Sequence, residues 1–359
     1  MAEADDAIPA RVGRALLARV GIVSLALVAL LVATMCAACV LGRYGPAPVP
    51  ALQIVARALP VLAADAPADL SPDETIILQF RLPRVLLGAF VGALLAVAGT
   101  GLQGLLKNPL ADPYIIGVSS GAAVGAAAAM TLGLGAIAHG WGVPLLAFGT
   151  GLATVAFVYS LAQQGGRVPV ESFLLAGVVV GSFMWAAVFF FMTVTAKERE
   201  TLDIVFWLMG NLQRGEPWRA VAMVVPFAVV GPGLMYLFAR DLNVMLLGEE
   251  SAVHLGVRVE LLKQIIIALA ALVTAAAVAA AGIIGFVGFI VPHIMRRLVG
   301  PDHRVLIPAA ALGGAIFLVC ADTIARTIIA PSQIPAGVIT ALVGAPFFCH
   351  LLRKRRRAI

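Results

Sequence analysis

Charged side chains are scarce in this sequence: Asp, Glu, Lys and Arg make up 12% of its 359 residues. A soluble domain carries about twice that share to cover its surface, so a water-soluble globular chain is excluded. Segments that alternate apolar and polar residues over a strand length are missing too, which excludes a lipid-facing β-barrel. Cysteine is sparse. Cys36, Cys39, Cys320 and Cys349 lie in or at the ends of apolar runs, and the Cys36–Cys39 pair has metal-ligand spacing with no second pair or histidine nearby. Neither a metal site nor a secreted disulfide framework is indicated. The chain has no Gly-x-x-x-x-Gly-Lys-Ser/Thr loop, so nucleotide phosphates would be bound by another subunit. Its five histidines are scattered over separate segments, which argues against an integral-membrane enzyme, where a cluster near one face is needed.

What the sequence does contain is apolar runs. Hydrophobic residues reach 61%, and the runs are roughly 20 residues long, the length that crosses a hydrocarbon core of about 30 Å. Glycine (36 residues) and alanine are abundant inside them, and in lipid small residues let helix backbones approach closely. The expectation is an all-α polytopic membrane protein with about ten transmembrane helices, forming a single membrane domain over 1–359. Spans are expected near 16–41, 84–106, 114–132, 142–163, 172–195, 218–239, 261–281, 284–299, 305–325 and 336–352. The run from Val20 follows Arg11, Arg14 and Arg19. It is too long for a signal h-region and lacks a clean cleavage site, so it reads as a retained first span.

Orientation follows from the basic residues. With the N-terminus inside, 16 of the 25 Lys and Arg fall in inside segments, which places both termini in the cytoplasm. The net charge of +6 and the tail Arg353-Lys-Arg-Arg-Arg357 then read as anchoring to anionic lipid rather than as nucleic-acid binding. On this topology 42–80 and 196–217 are periplasmic, and 240–260 is cytoplasmic.

Three stretches are too punctuated to be generic spans. In the first, Arg81-Leu-Pro-Arg84 precedes Gly88, Gly92, Gly99, Gly101 and Gly104, and then Asn108, Pro109, Asp112 and Pro113. The two prolines force the backbone out of the helix beside Asn108 and Asp112. In the second, Gly282, Gly285 and Gly288 read as a small-residue packing stripe ahead of Pro292 and His293, followed by Gly300-Pro-Asp-His-Arg304. The third, Arg240–Arg258, is amphipathic. Leu246, Leu247, Ala252, Val253 and Leu255 oppose Glu249, Glu250 and His254, which suits a short helix pair seated in a partner's groove. A weak echo between 96–104 and 277–285 fits the inverted repeats that many transporters use.

These stretches, together with Leu175-Ala-Gly177, Trp207 with Gly210, Leu247-Gly248 with Leu255-Gly256, Phe286-Val-Gly-Phe-Ile-Val-Pro-His293, Ala321-Asp322 with Arg326, and Gly344-Ala-Pro346, resemble the FecCD family, permeases of ABC importers for iron-siderophores, haem and cobalamin. The resemblance covers almost the whole chain. It implies a type II ABC importer permease fold of ten spans in a bacterial inner membrane, working as a homodimer. Two ATP-binding cassette subunits, which carry ATP and Mg, would sit below, and a periplasmic substrate-binding protein above. It assigns binding-protein docking to Arg81, Arg84 and Arg326. It assigns ATPase coupling to helices at 245–260, including Leu247, Gly248, Glu249, Ala252, Leu255 and Gly256. The translocation path and gate fall on Val170, Glu171, Ser172, Phe183 and Met184 and the loop before them. This chain would bind no cofactor and no metal, and haem is the expected cargo, with ferric siderophore or cobalamin as alternatives.

Several residues carry two readings. Arg81 and Arg84 either dock a partner or snorkel to headgroups. Asp322 is expected to pair with Arg326 one turn later while presenting that arginine outward; a proton relay is the rival role. His293 belongs to the general motif, with a haem-ligand role as the alternative. His254 and His303 read as solvated or docking residues. The aromatic and thioether group Phe183 to Met192 suits either a flat macrocycle or helix packing. A proton- or sodium-coupled secondary transporter is the rival from another class, and it calls for acidic residues in several spans where only Asp322 qualifies.

Overall fold

The computed structural model of the chain describes residues 2–41, 71–195, 198–213, 216–329 and 332–356. Ten long helices fall at the ten expected places: α1 Ala2–Val40, α2 Leu82–Leu105, α3 Val118–Thr131, α4 Gly142–Ala162, α5 Val170–Val194, α6 Pro217–Leu237, α7 Val259–Ala281, α8 Val287–Val299, α9 His303–Thr327 and α10 Ala336–Arg356. Among the described residues, seven helices are long and apolar enough to cross a membrane by length and composition, and α3 and the Ala336–Leu351 part of α10 are shorter apolar helices. Of the segment 42–80, residues 42–70 lie outside the described part, while Pro72–Arg81 winds directly into α2. Ser71 starts that helix. Its hydroxyl accepts from the Glu74 N–H, and the Glu74 carboxylate accepts from the Ser71 N–H, a reciprocal cap that satisfies two orphan donors. Within 196–217 the described part holds a helix at Glu198–Leu208, with Trp207 buried.

Every long helix here is apolar, so residue size decides which one becomes the axis. In the helix Pro72–Leu105, 83% of the most apolar stretch is buried, against 11% in α1. The α2 glycines permit this. A Cβ at Gly92 would run into the carbonyl oxygen of Gly314 in α9, and one at Gly99 into that of Gly288 in α8. With no side chain at these crossings, backbones touch and dispersion contacts accumulate without a hydrophobic drive between helices.

Two expectations about the 282–299 region are corrected. The span begins at Val287 rather than 284, because α7 ends at Gly282 with φ +73, a conformation that a side chain would strain. Residues 282–285 are irregular, so Gly282, Gly285 and Gly288 form no helical stripe, and Gly288 makes a close approach where Gly285 does not. The 96–104 segment is wholly helical while 277–285 is broken after Ala281, so the echo between them does not extend to conformation. Irregular backbone inside a membrane protein must find internal partners. Here Tyr114 supplies them: its hydroxyl donates to the Ile284 carbonyl at 2.7 Å and accepts from the Ile284 N–H at 3.0 Å. Tyr114→Phe strands both groups and is expected to cost about 1–3 kcal/mol for each group left unsatisfied. A lowered unfolding midpoint in detergent checks this, and an unchanged midpoint would mean that water or relaxation replaces the hydroxyl.

Candidate functional site

At the end of the bundle that the charge count places outside, the sequence expected three arginines facing a partner. The structure turns them inward, and that expectation is corrected. Arg81 and Arg84 are each 7% exposed, and the Arg326 side chain is 8% exposed. Arg81 donates to the carbonyls of Cys39 and Val40, and Arg326 to that of Ala38, so the C-terminal carbonyls of α1, left open by the helix geometry, are closed by two guanidiniums. Asp322 is paired chiefly with Arg84 rather than Arg326. Arg84 Nε reaches both carboxylate oxygens at 3.0 Å and Nη2 reaches Oδ1 at 2.8 Å, whereas Arg326 Nε stands 3.9 Å away. Arg84 Nη1 also donates to Gln213 at 2.9 Å and Gln333 at 2.6 Å. One guanidinium therefore ties α2, α9 and two connecting loops. Spacing along the chain pointed to Arg326 because it sits one turn from Asp322; Arg84, 238 residues away, could only be found in three dimensions.

In the middle of the bundle the Asn108–Pro113 motif is held by its own side chains. Asn108 Oδ1 accepts the Leu110 N–H at 2.9 Å, and Asp112 Oδ1 accepts the Tyr114 N–H at 2.8 Å, each turning the chain around a proline that offers no donor. This turn borders a cavity of about 490 Å³ whose lining includes Asp112, Tyr114, Ser119, Trp185, Phe286, Phe289 and Phe348. Phe289 and Phe348 meet edge to face at 5.3 Å. Of the expected aromatic group, Trp185 reaches this cavity. Phe183 does not line it and is 69% exposed, and Met184 packs against the core. The sequence reading does not give this role to Phe286 and Phe289, which it holds only as motif residues at the start of α8, or to Phe348, which lies within α10. Pro292 is buried in α8, and His293 contacts Phe347 edge-on at 5.9 Å, away from the cavity lining.

At the end that the charge count places inside, Val170 and Ser172 are half-buried and Glu171 is exposed in the first turn of α5; Ser172 accepts a hydrogen bond from Gln164 at 3.3 Å. The stretch 239–254 forms two short helices, Ala239–Met245 and Glu249–His254. Leu247, Val253 and Leu255 are exposed, leaving an apolar surface, while Ala252 is fully buried and faces the bundle instead. Gly248 and Gly256 flank the second helix, and Glu249 is half-buried. His254 is exposed, but His303 is fully buried, correcting the solvated reading. Its backbone N–H and Nδ1 both lie 2.8 Å from Asn243 Oδ1, and Asn243 Nδ2 donates to Asp302 at 2.7 Å. Asp302 caps α9 by accepting the Arg304 N–H at 3.0 Å. The Arg304 guanidinium bonded to Asp302, helped by Asn243, holds that carboxyl down at about 2 from the usual 3.8. A depressed carboxylate contributes stability above its unfolded value and loses it as pH falls toward the folded one. The parent is therefore expected to lose stability between about pH 4 and pH 2. Asp302→Asn should flatten that decline, because asparagine still caps the helix but no longer carries the charge that Arg304 stabilises. Thermal midpoints at pH 7 and pH 3 check both.

An all-helical bundle, an open cavity beside a broken helix and a short helix pair are the parts of an importer permease, and comparison with known proteins bears on this directly. The signature of the FecCD transport family matches residues 29–354. The chain belongs to that family. It is 46% identical over 312 residues to the cobalamin import system permease protein BtuC of Halobacterium salinarum, covering 85% of this chain and 82% of that one. It is 40% identical over 287 residues to the hemin transport system permease protein HmuU of Yersinia pestis, covering 78% and 84%. A solved inward-facing structure of a metal-chelate type ABC transporter superposes with a TM-score of 0.79 at 31% identity, over 93% of this chain and 99% of that one. This member of the FecCD family is thus a multi-pass membrane protein with the type II importer fold, a permease rather than the ATP-hydrolysing part.

Proposed function

We propose that two copies of this chain form the path of an ATP-driven importer whose cargo is a flat metal macrocycle, haem in the first instance. Two ATP-hydrolysing subunits bind the inner face and a substrate-binding protein binds the outer one. The observation that carries the cargo reading is the cavity beside the broken helix. Tyr114, Trp185, Phe286, Phe289 and Phe348 surround it, and aromatic faces suit a planar conjugated ring. The likeness to HmuU at 40% identity supports haem, and the likeness to BtuC at 46% supports a corrinoid as the second reading. The exposed apolar surface at Leu247, Val253 and Leu255 supports the inner-face contact. In the docking role, Arg81, Arg84 and Arg326 act by holding the outer helix ends on which the binding protein rests.

Uptake into liposomes containing the chain with its ATPase and binding protein tests this. ATP-dependent accumulation of haem is expected. Accumulation of cobalamin or a ferric chelate alone overturns the cargo, and accumulation driven by a proton or sodium gradient without ATP overturns the importer reading.

A further inference from the structure

Lys263 lies one turn inside α7 and is 5% exposed. An ammonium so enclosed is tolerated only when its donors are used, and all of its partners are informative. Nζ stands 2.9 Å from Glu249 Oε2, 3.1 Å from Glu260 Oε1 and 3.5 Å from the carbonyl of Val168. The second oxygen of Glu260 accepts the Val168 N–H at 3.1 Å. Both backbone polar groups of Val168 are therefore held by side chains of α7, and one of those side chains also holds Glu249. Val168 is itself buried, and the next residue, Pro169, caps α5. The turn before it is closed on itself by the paired Gln164 and Arg167 backbones, so it moves as a unit.

The helix Glu249–His254 is bracketed by Gly248 at φ +118 and Gly256 at φ +85, backbone angles at which glycine turns freely and other residues are strained. Ala252 keys it into the bundle. A displacement of this helix passes inward through that apolar contact, through the Val257 N–H bonded to the Ala252 carbonyl, and through the salt bridge from Glu249. The salt bridge leads through Lys263 and Glu260 to Val168, and so to the first turn of α5.

We infer that Lys263 and Glu260 are positioning residues that transmit the movement of the Glu249–His254 helix to the loop 163–169 and the start of α5. This rests on the reading that the Glu249–His254 helix meets the ATPase subunit. The test uses the complete transporter reconstituted with its ATPase and binding protein, comparing the parent with Lys263→Met, Glu260→Gln and Lys263→Arg. Assembly and ATP hydrolysis are expected to be unchanged in Lys263→Met and Lys263→Arg. Substrate accumulated per ATP hydrolysed is expected to fall about tenfold in Lys263→Met and Glu260→Gln, the size of a typical coupling between sites, and to be largely kept in Lys263→Arg. A merely structural role would lower yield and hydrolysis together and leave the ratio intact. An unchanged ratio in both variants overturns the inference, as does loss of the ATPase from the Lys263→Met complex. Leu247→Asp with Leu255→Asp separates the underlying reading. If the ATPase still co-purifies with that exposed-face variant, the contact lies elsewhere, whatever the ratio in the Lys263 variants shows.

Discussion

Asp322→Leu is expected to be the most damaging single change at the outer end, costing about 3–5 kcal/mol of folded-state stability. Removing this carboxylate leaves Arg84, with its two bonds to Asp322 at 3.0 Å and one at 2.8 Å broken, and the 8%-exposed Arg326 without another carboxylate partner among the described residues. Arg84→Met should cost less than Asp322→Leu, because Arg326 at 3.9 Å already stands beside the abandoned carboxylate. The double variant Arg84→Met with Asp322→Leu should recover much of the loss, since replacing both members of a buried pair with apolar groups is often near neutral. Unfolding midpoints of the purified chain in detergent test this ordering. A double variant no better than Asp322→Leu alone would show that Gln213 and Gln333, rather than the ion pair, depend on Arg84. The same values govern any test of docking by charge reversal at Arg81 or Arg84. Lost transport in such a variant reports the fold unless stability is shown to be intact.

Gly99→Val should be the most damaging change in the interior. Its Cβ would meet the backbone of Gly288, with both the carbonyl oxygen and Cα in its way. Overpacking against a movable side chain costs about 1–3 kcal/mol; against backbone, α2 and α8 must separate along their length, so a loss above about 3 kcal/mol is expected. Gly21, whose added Cβ meets nothing within 4 Å, is the matched control and should tolerate alanine. Yield of monodisperse protein after membrane extraction separates the two, and equal yields would mean that the α2–α8 crossing is looser than described.

The inner face shows how far reading along the chain could reach. The alternation of Leu247, Val253 and Leu255 with Glu249 and Glu250 was enough to place a short helix pair there, and both helices form. It was not enough to orient every residue. Ala252 looked like part of the partner-facing apolar set and is buried against the bundle, because a helix of two turns has apolar residues on both sides and the sequence holds no record of which side the bundle takes. His303 failed for a related reason. In the run Gly300-Pro-Asp-His-Arg304 it sits between charged residues and reads as wet. The Asp302 cap turns it under α2, where an added Cβ at Gly104 would meet its ring, and Asn243 from the helix Ala239–Met245 holds its backbone N–H and Nδ1.

The number, places and apolar character of the helices follow from the sequence alone, because a lipid solvent demands the same thing of every span: enough apolar length and internally paired backbone. The breaks at Asn108–Pro113 and Gly282 are equally local, since proline and positive-φ glycine act on the residues beside them. Which helix is central and which partners the buried charges take was decided only in the folded bundle. Hydropathy is nearly uniform across the spans and cannot rank them. Close approach through Gly92, Gly99, Gly288 and Gly314 can, and so can the meeting of Arg84 with Asp322 and of Lys263 with Glu249 and Val168. Such pairings depend on distances between segments up to 238 residues apart, which a linear pattern does not encode.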